Sequence, residues 1–392
     1  MIAVLRACRS ELSRMLALAP VFSVLIVASV IYAGFYPQPY LNEALRNVPI
    51  AVVDQDRSAA SRRLTQAVDA SADVAVTAQF FDMPSAERAV FARQIYGILL
   101  IPQHFERDLL HGRPSPVAVY GDASYLLIYQ RVAGAVSAVA GTMGAEVETA
   151  RLIAQDVDPR IAGAAVDPMP LTAVPLFNPE GGYATYILPA AFGLIVQQIL
   201  LIAVCLLGTL PASQTPVEPG DTAAPPIGAV ASVLGRLLAY LLAECILLPT
   251  YLIALPYLYG LPHLGSPLVL MVFAMPFVLA IGGLGMVLAR IFRHPLTAQL
   301  ATAAIGLPLF FLTGFSWPAE AIPPALHRLS LLIPSTSAVP AFVRITQTGA
   351  NLAEVRPEFL TLWGLAIAYG GVAMLLQRGA RPWGAADPRP NA

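Results

Sequence analysis

The sequence predicts an α-helical membrane protein with six transmembrane helices and an α/β extracytoplasmic domain inserted between helices 1 and 2. The chain is unusually apolar, with 57% hydrophobic and only 12% charged residues, whereas about a quarter of the residues in an average soluble protein are charged. Uncharged apolar runs long enough to cross a bilayer as helices recur along it. A polar block, residues 37–180, separates the first run from the others.

The first apolar run, residues 15–36, is predicted to be transmembrane helix 1. It is too long for the core of a signal peptide, and no clear cleavage site follows it, so we expect an uncleaved anchor. Charged residues, prolines and glycines divide the rest of the apolar sequence into five further spans. These are predicted at about 183–210, 232–257, 268–288, 295–315 and 359–377.

The remaining segments are predicted to lie at the two membrane surfaces. Residues 1–14 are expected to be a cytoplasmic interfacial segment, and residues 379–392 a cytoplasmic tail. Residues 317–358 contain amphipathic pieces broken by prolines, and we expect short helices resting at the outer interface. Within that segment Trp317 is a candidate interfacial anchor, and Trp317, Pro318 and Pro334 are candidates for an outer gate.

Arginines indicate the orientation of the chain. They precede span 1, begin span 3, and follow spans 4 and 6, whereas the loop around His263 has none. The positive-inside rule then places both termini in the cytoplasm and the polar block outside. One segment, 132–145, is apolar enough to be considered as a further span. Because it is short and closed by Arg131 and Glu146, we expect a buried helix of the polar block instead.

The polar block has the pattern of a small α/β domain. Short apolar runs alternate with helical periodicity, which favours a largely parallel sheet. Asp54 and Asp56 follow the first predicted strand, where such folds place ligand-binding carboxylates. A metal or general-acid role is one interpretation, and solvation of the loop with favourable charge at a helix N-terminus is the other.

Composition excludes several classes of function. The chain contains no lysine, so it cannot form an ordinary P-loop, which needs a lysine at the β- and γ-phosphates. A net charge of −1 gives no indication of a nucleic-acid partner. We find no nucleophile elbow, metalloprotease motif or Gly-rich phosphate loop, and so predict neither a catalytic residue, nor a metal site, nor a cofactor bound by this chain.

Three polar side chains in predicted spans are candidates for a transport pathway. Glu244 is the only acid deep within a span, and a charge at the bilayer centre costs roughly 2.5–3.5 kcal/mol on insertion scales. It should face the bundle interior, either as a pathway residue or as a protonated partner in a helix–helix hydrogen bond. At least one of Gln197 and Gln198 should face another helix. Gly282, Gly283 and Gly285 are expected to allow close helix packing, with a hinge as the alternative.

Three phrases in the sequence carry a family resemblance. The first is Pro49-Ile50-Ala51-Val52-Val53-Asp54-Gln55-Asp56, followed by Ser58. The second is Leu176-Phe177-Asn178-Pro179, followed by Gly182-Tyr183-Ala184-Thr185-Tyr186. The third is Gly314-Phe315-Ser316-Trp317-Pro318, followed by Leu332-Ile333-Pro334. In this order and spacing the chain resembles the ABC-2 type transporter permeases, in the branch with a large external domain after the first span.

The resemblance implies the permease subunit of an ATP-driven exporter in the bacterial inner membrane. It implies export of a hydrophobic or amphipathic compound, with ATP and Mg²⁺ used by a separate ABC ATPase subunit. A second permease copy or a paralogue would complete the pathway within membrane lipid. A periplasmic adaptor and an outer-membrane channel are further partners that it suggests.

The sequence departs from the family pattern in the loop between spans 2 and 3. Members usually carry charged residues there for ATPase contact, but residues 211–227 contain only Glu218 and Asp221. The N-terminal segment with Arg6, Arg9 and Arg14 is the alternative contact.

Two other classes of function compete with the exporter. A membrane-anchored binding or sensing protein would use its external domain for recognition without transport, but it predicts a substantial cytoplasmic output domain. An ion-coupled carrier predicts several intramembrane ionisable residues and inverted repeats. The sequence shows one such acid and no repeat.

Overall fold

The computed structural model of the chain describes residues 1–179, 181–210, 227–292 and 294–378. It is mostly helical, with one small sheet. Contacts divide the chain into a helical unit, Met1–Glu43 with Pro175–Ala392, and an α/β unit, Ala44–Val174.

The elements are numbered in chain order. The strands are β1 (Val48–Asp54), β2 (Val74–Phe80), β3 (Gly97–Ile101) and β4 (Ala118–Gly121). The helices are α1 (Ile2–Ala17), α2 (Ala19–Phe22), α3 (Ser29–Phe35), α4 (Ala59–Asp69), α5 (Met83–Phe91), α6 (Phe105–Leu110), α7 (Leu126–Ala154), α8 (Pro159–Val166), α9 (Tyr183–Thr209), α10 (Ala229–Pro249), α11 (Leu255–Leu258), α12 (Pro267–Ile291), α13 (Pro295–Leu312), α14 (Pro324–Ser330), α15 (Pro334–Thr348) and α16 (Arg356–Arg378).

The sheet of the α/β unit has the strand order β2-β1-β3-β4. The first three strands are parallel, whereas β4 pairs antiparallel with β3. The expected largely parallel sheet therefore carries one reversed edge strand. β4 is short and only half-buried. Its apolar pattern therefore could not predict whether it runs parallel or antiparallel to β3.

Helices cover both faces of this sheet because successive side chains of a strand point to opposite sides. Val52 of β1 is buried in one hydrophobic cluster with Leu64 of α4 and Val132 of α7. The next residue, Val53, is buried in a second cluster with Ala86 of α5. The central strand thus has an apolar contact on each side.

The helix α7 is longer than the apolar run from which it was predicted. It has 29 residues, and its length and hydropathy would allow it to cross a membrane. One face packs in the first cluster of the α/β unit, through Val132, Ala135, Val136 and Met143. This packing makes α7 a helix of the α/β unit.

The predicted first span, residues 15–36, begins later in the structure. Leu18 has an extended backbone, with φ −84° and ψ 107°, and separates α1 from α2. A proline lies in the first turn of α2, the helical position where its missing N–H costs least. The candidate span therefore extends from Ala19 to Tyr40, and it includes a π-helical segment, Ser23–Ala28.

Six helices among the described residues are long and apolar enough to cross a membrane. They are Ala19–Tyr40, α7, α9, Ala229–Leu258, α12 and α16. This set includes α7, which was predicted from its sequence to be a buried helix of the polar block. The predicted fifth span corresponds to the 18-residue α13, which packs against α9.

The segment predicted to rest at the outer interface is instead partly built into the bundle. The helices α14 and α15 meet at an angle of 86°, as in a broken span or a re-entrant loop. Ala338, Phe342 and Ile345 of α15 are buried in the core of the helical unit. The prolines correctly indicated breaks between short helices, but they could not indicate that α15 packs in the core of the helical unit.

Three glycines of α12 allow three other helices to approach closely. A Cβ atom added to Gly282 would lie 2.7 Å from α10, one on Gly283 2.8 Å from α16, and one on Gly285 2.7 Å from α9. These distances are too short for a real side chain. The three glycines therefore have the packing role that their sequence cluster suggested.

Candidate translocation elements

Glu244 lies on α10 and is buried, with 1% of its surface exposed. It shares a helix face with Leu237 and Tyr240, which lie against Gly282 of α12. Within the described residues, neither carboxyl oxygen has a hydrogen-bond partner. An ionised carboxylate without donors is costly in such surroundings, so this position requires a proton or a cationic group.

The helix that carries Glu244 loses its regular α-helical form one to two turns later. Residues Thr250–Ala254 are π-helical, as are Ser23–Ala28 in the first candidate span. The Tyr251 hydroxyl donates a 2.6 Å hydrogen bond to the carbonyl of Ser29. This bond joins the second irregular segment to the residue that directly follows the first one, and π-helical turns are frequent at functional sites.

The two adjacent glutamines of α9 form hydrogen bonds to two different helices. Gln197 is buried and its Nε2 donates to Oγ of Ser335 on α15 at 3.0 Å, whereas Gln198 donates to the carbonyl of Thr302 on α13 at 2.5 Å. Within the described part of the chain, Oε1 of Gln197 and Oγ1 of Thr336 have no hydrogen-bond partner. Each is a buried polar atom with spare capacity to bond to a ligand or a water molecule.

The candidate gate residues occupy different environments. Pro334 is buried as the first residue of α15. Trp317, in contrast, is 58% exposed, and Pro318 is exposed beside it. The three candidate gate residues are therefore not buried together in a single closed gate.

A buried charge cluster joins α1 to the bundle. Arg14 donates to Oε2 of Glu11 at 2.8 Å and to the carbonyl of Leu207 at 2.7 Å. Tyr240 donates to Oε1 of Glu11 at 2.8 Å, and Arg236 lies 3.8 Å from Oε2. The cluster connects α1, the C-terminal end of α9, and α10.

This cluster changes the set of candidate ATPase contacts. Arg14 is 3% exposed and is engaged inside the protein, so it is not accessible to a partner. Arg6 is half-buried and Arg9 is exposed. Glu218 and Asp221 lie outside the described residues.

Glu11 was not predicted from the sequence to be a functional residue, although the sequence around it contains a signal. Glu11 is the only acidic residue before Glu43, and it lies between arginines. A single acid in a basic segment that precedes a span indicates an internal ion pair. Its partner Tyr240 could not be found in this way, because the two residues are 229 positions apart.

In the α/β unit, Asp54 and Asp56 tie a loop to two helices. Asp54 accepts a 2.7 Å hydrogen bond from the Ser61 hydroxyl, and Asp56 accepts one of 3.0 Å from the backbone N–H of Glu106. Burial alone would raise the pKa of Asp56, but its hydrogen bonds, led by that of Glu106, hold the pKa below its usual value. Within the described residues no group of three or more His, Cys, Asp or Glu side chains could hold a metal ion. These bonds favour the loop-and-helix interpretation of both aspartates.

Comparison with known proteins agrees with the resemblance seen in the sequence. The family model for ABC-2 family transporter proteins matches residues 14–375. The inner membrane transport permease YhhJ of Escherichia coli (strain K12) is 26% identical over 357 residues, which cover 85% of this chain and 85% of that protein. The protein of the same name from Shigella flexneri matches equally well.

These findings support a multi-pass inner-membrane protein, since the relatives are inner-membrane permeases and several apolar helices could span a bilayer. The family implies an ABC ATPase partner, and it suggests a transport subunit rather than an enzyme. With most of its length matched, this chain belongs to the ABC-2 family of transporter proteins.

Proposed function

We propose that this chain is the permease subunit of an ATP-driven exporter that moves a hydrophobic or amphipathic compound out of the cytoplasm. The family match over residues 14–375 carries this proposal. The absence of lysine supports it, because a P-loop needs that residue at the β- and γ-phosphates. A separate ABC ATPase would bind ATP and Mg²⁺.

In the proposed topology, α13 is the fifth span and α7 is not a span. This assignment is supported by the packing of α7 on the sheet and of α13 on α9. With six spans, both termini lie in the cytoplasm and the α/β unit lies outside, between the first two spans. The positions of the arginines agree with this orientation.

The cargo would pass the buried polar groups of the bundle. Within the described residues Glu244 has no hydrogen-bond partner, and its carboxylate would attract a cationic group on an amphipathic compound. In the described part of the chain, Oε1 of Gln197 accepts no hydrogen bond at the junction of α9 and α15. A second copy of the chain or a paralogue would complete the pathway, and a periplasmic adaptor with an outer-membrane channel would receive the cargo.

The exposed face of α1 is the proposed contact for the ATPase. Leu5 and Leu16 are 55% and 68% exposed on this helix, and Arg9 is exposed between them. The buried cluster around Glu11 would transmit a movement of α1 to α10 and α9.

Purification of the tagged chain from native membranes in mild detergent, followed by mass spectrometry, tests the proposal. We expect a chain with a P-loop to co-purify, and Leu5→Glu or Leu16→Glu to reduce its recovery. Leu264→Glu is a matched control, because Leu264 is 64% exposed in the loop between α11 and α12. Recovery of no nucleotide-binding chain would count against the exporter, and an equal loss in the control would count against α1 as the contact.

A further inference from the structure

Five aromatic side chains form an unbroken series at the end of the helical unit where α9 begins. We call Tyr36, Tyr40, Tyr183, Tyr186 and Phe315 the aromatic row. Successive ring centroids are 5.9, 5.7, 6.1 and 4.8 Å apart. The residues come from the end of the first candidate span, the start of α9 and the segment after α13, so only the tertiary structure brings them together.

The rings of the aromatic row are not sequestered in the core. Tyr183 is 38% exposed and Tyr186 is 44% exposed, while the other three are half-buried. The Tyr186 hydroxyl donates to the carbonyl of Phe315, which fixes the last, stacked pair. The aromatic row therefore offers ring surface that the chain itself leaves accessible.

A carboxylate lies beside this surface. Glu43 accepts hydrogen bonds from the hydroxyl and the backbone N–H of Thr185, at 2.9 and 3.2 Å. Its carbonyl accepts from the N–H of Tyr183 at 2.7 Å. Within the described residues, no basic side chain forms an ion pair with Glu43. Within the described residues the carboxylate is therefore bound by the first turn of α9 and by a hydroxyl, and no cation is paired with it.

The backbone of Glu43 has an uncommon conformation that it shares with six other described residues that are not glycine. Its φ is +50°, in the left-handed region, which residues other than glycine adopt uncommonly. Here that conformation accompanies the placement of the carboxylate against the start of α9, next to Tyr183.

We propose that the aromatic row and Glu43 form a binding site for planar aromatic cations. Aromatic faces attract cations through the ring quadrupole, and stacking on a flat ring adds apolar contact. The carboxylate supplies the charge that selects a cation over a neutral or anionic compound. This proposal rests on the proposed permease function and gives it a class of cargo and a place where that cargo is held.

An ordinary aromatic belt at the membrane surface is the competing explanation. Belt residues contact lipid headgroups, and their function does not require contact with one another or with an acid. In the aromatic row each ring contacts the next, across three segments of the chain, with the carboxylate adjacent. The two explanations differ in what a conservative apolar substitution does to ligand binding.

Binding of rhodamine 6G, a planar aromatic cation, to the purified full chain in detergent tests the site without ATP or a partner. Fluorescence anisotropy should show saturable binding. Tyr183→Leu and Tyr186→Leu keep apolar volume but remove a ring, and each should raise the Kd about 3- to 30-fold. Glu43→Gln should raise the Kd for rhodamine 6G while changing that for neutral Nile red by less than about twofold.

Tyr257→Leu is the matched control. Tyr257 is 61% exposed and stacks on His263 at 5.1 Å, outside the aromatic row. Monodispersity in size-exclusion chromatography establishes that each variant is folded. Unchanged affinity in the three test variants, or an equal loss in the control, would overturn the site. A chain that captures the ATPase yet binds no rhodamine 6G would keep the proposed function and lose this site.

Discussion

The Tyr240 hydroxyl donates a 2.8 Å hydrogen bond to Oε1 of Glu11, and this bond joins α10 to α1 inside the helical unit. Arg14 occupies the other carboxyl oxygen at 2.8 Å. Glu11 and Arg14 are 2% and 3% exposed. The N-terminal helix is therefore held to the bundle by buried polar contacts, and it is more than a peripheral segment lying on the membrane.

We expect Glu11→Ala to destabilise the protein by about 3–5 kcal/mol, because it leaves Arg14 buried without its carboxylate. Tyr240→Phe should cost about 1–2 kcal/mol, because it removes one hydrogen bond. Denaturant unfolding in detergent measures both. Glu320→Ala, at an exposed acid of the same unit, is the control and should have an effect below about 0.5 kcal/mol. Equal effects of Glu11→Ala and Glu320→Ala would show that the cluster contributes nothing to stability.

Gly285→Ala should also destabilise the helical unit. The new Cβ would lie 2.7 Å from Cγ1 of Val204, so α9 and α12 would have to separate, at a cost of about 1–3 kcal/mol. Gly371 of α16 has no heavy atom within 4 Å of a Cβ position, and Gly371→Ala should be neutral or stabilising by up to about 1 kcal/mol. Melting temperatures of the two variants test this, and similar values would contradict the close contact.

Glu244→Gln should lower export of cationic compounds more than export of neutral ones. The substitution keeps the size of the side chain and removes its ability to carry charge. Among the described residues the buried carboxyl group has no hydrogen bond to lose. We expect an unchanged melting temperature and a reduction in rhodamine 6G efflux that is larger than any reduction for Nile red. Efflux from cells that contain the partner ATPase measures this. Equal reductions for both dyes would remove the proposed charge role.

The α/β unit should lose stability in acid. The pKa of Asp82 is lowered by hydrogen bonds from the backbone and hydroxyl of Ser85 at the start of α5, and that of Asp56 is also lowered. A carboxyl group whose folded pKa is depressed contributes stability above its unfolded pKa of about 4, and this contribution disappears as the pH falls through the folded value.

Hydrogen exchange of the full chain measures this loss, after correction for the intrinsic pH dependence of exchange. Amides of residues 44–174 should open more readily as the pH falls below about 4. Asp56→Asn and Asp82→Asn should each weaken the pH dependence, because neither amide titrates. An unchanged pH profile in both variants would show that other groups control the acid sensitivity.

Much of the fold could be predicted because hydropathy and periodicity are properties of consecutive residues. The apolar runs are long because backbone polar groups in lipid must be satisfied within a helix. The same reasoning identified the α/β unit, and it placed Glu244 inside the bundle because an acid facing lipid is too costly. The family resemblance could also be recognised from the sequence, because each of its three phrases consists of neighbouring residues.

Other features depended on contacts between distant residues. Length and hydropathy alone would allow α7 to cross a membrane, whereas its packing against the sheet makes it a helix of the α/β unit. Arg14 has the same charge as Arg9, yet only the folded chain buries it beside Glu11. The aromatic row likewise joins residues from three segments, such as Tyr40 and Tyr183. The composition of a segment determines whether it is more stable in lipid or in water. Which side chains contact one another depends on how the helices pack, and only the tertiary structure determines that.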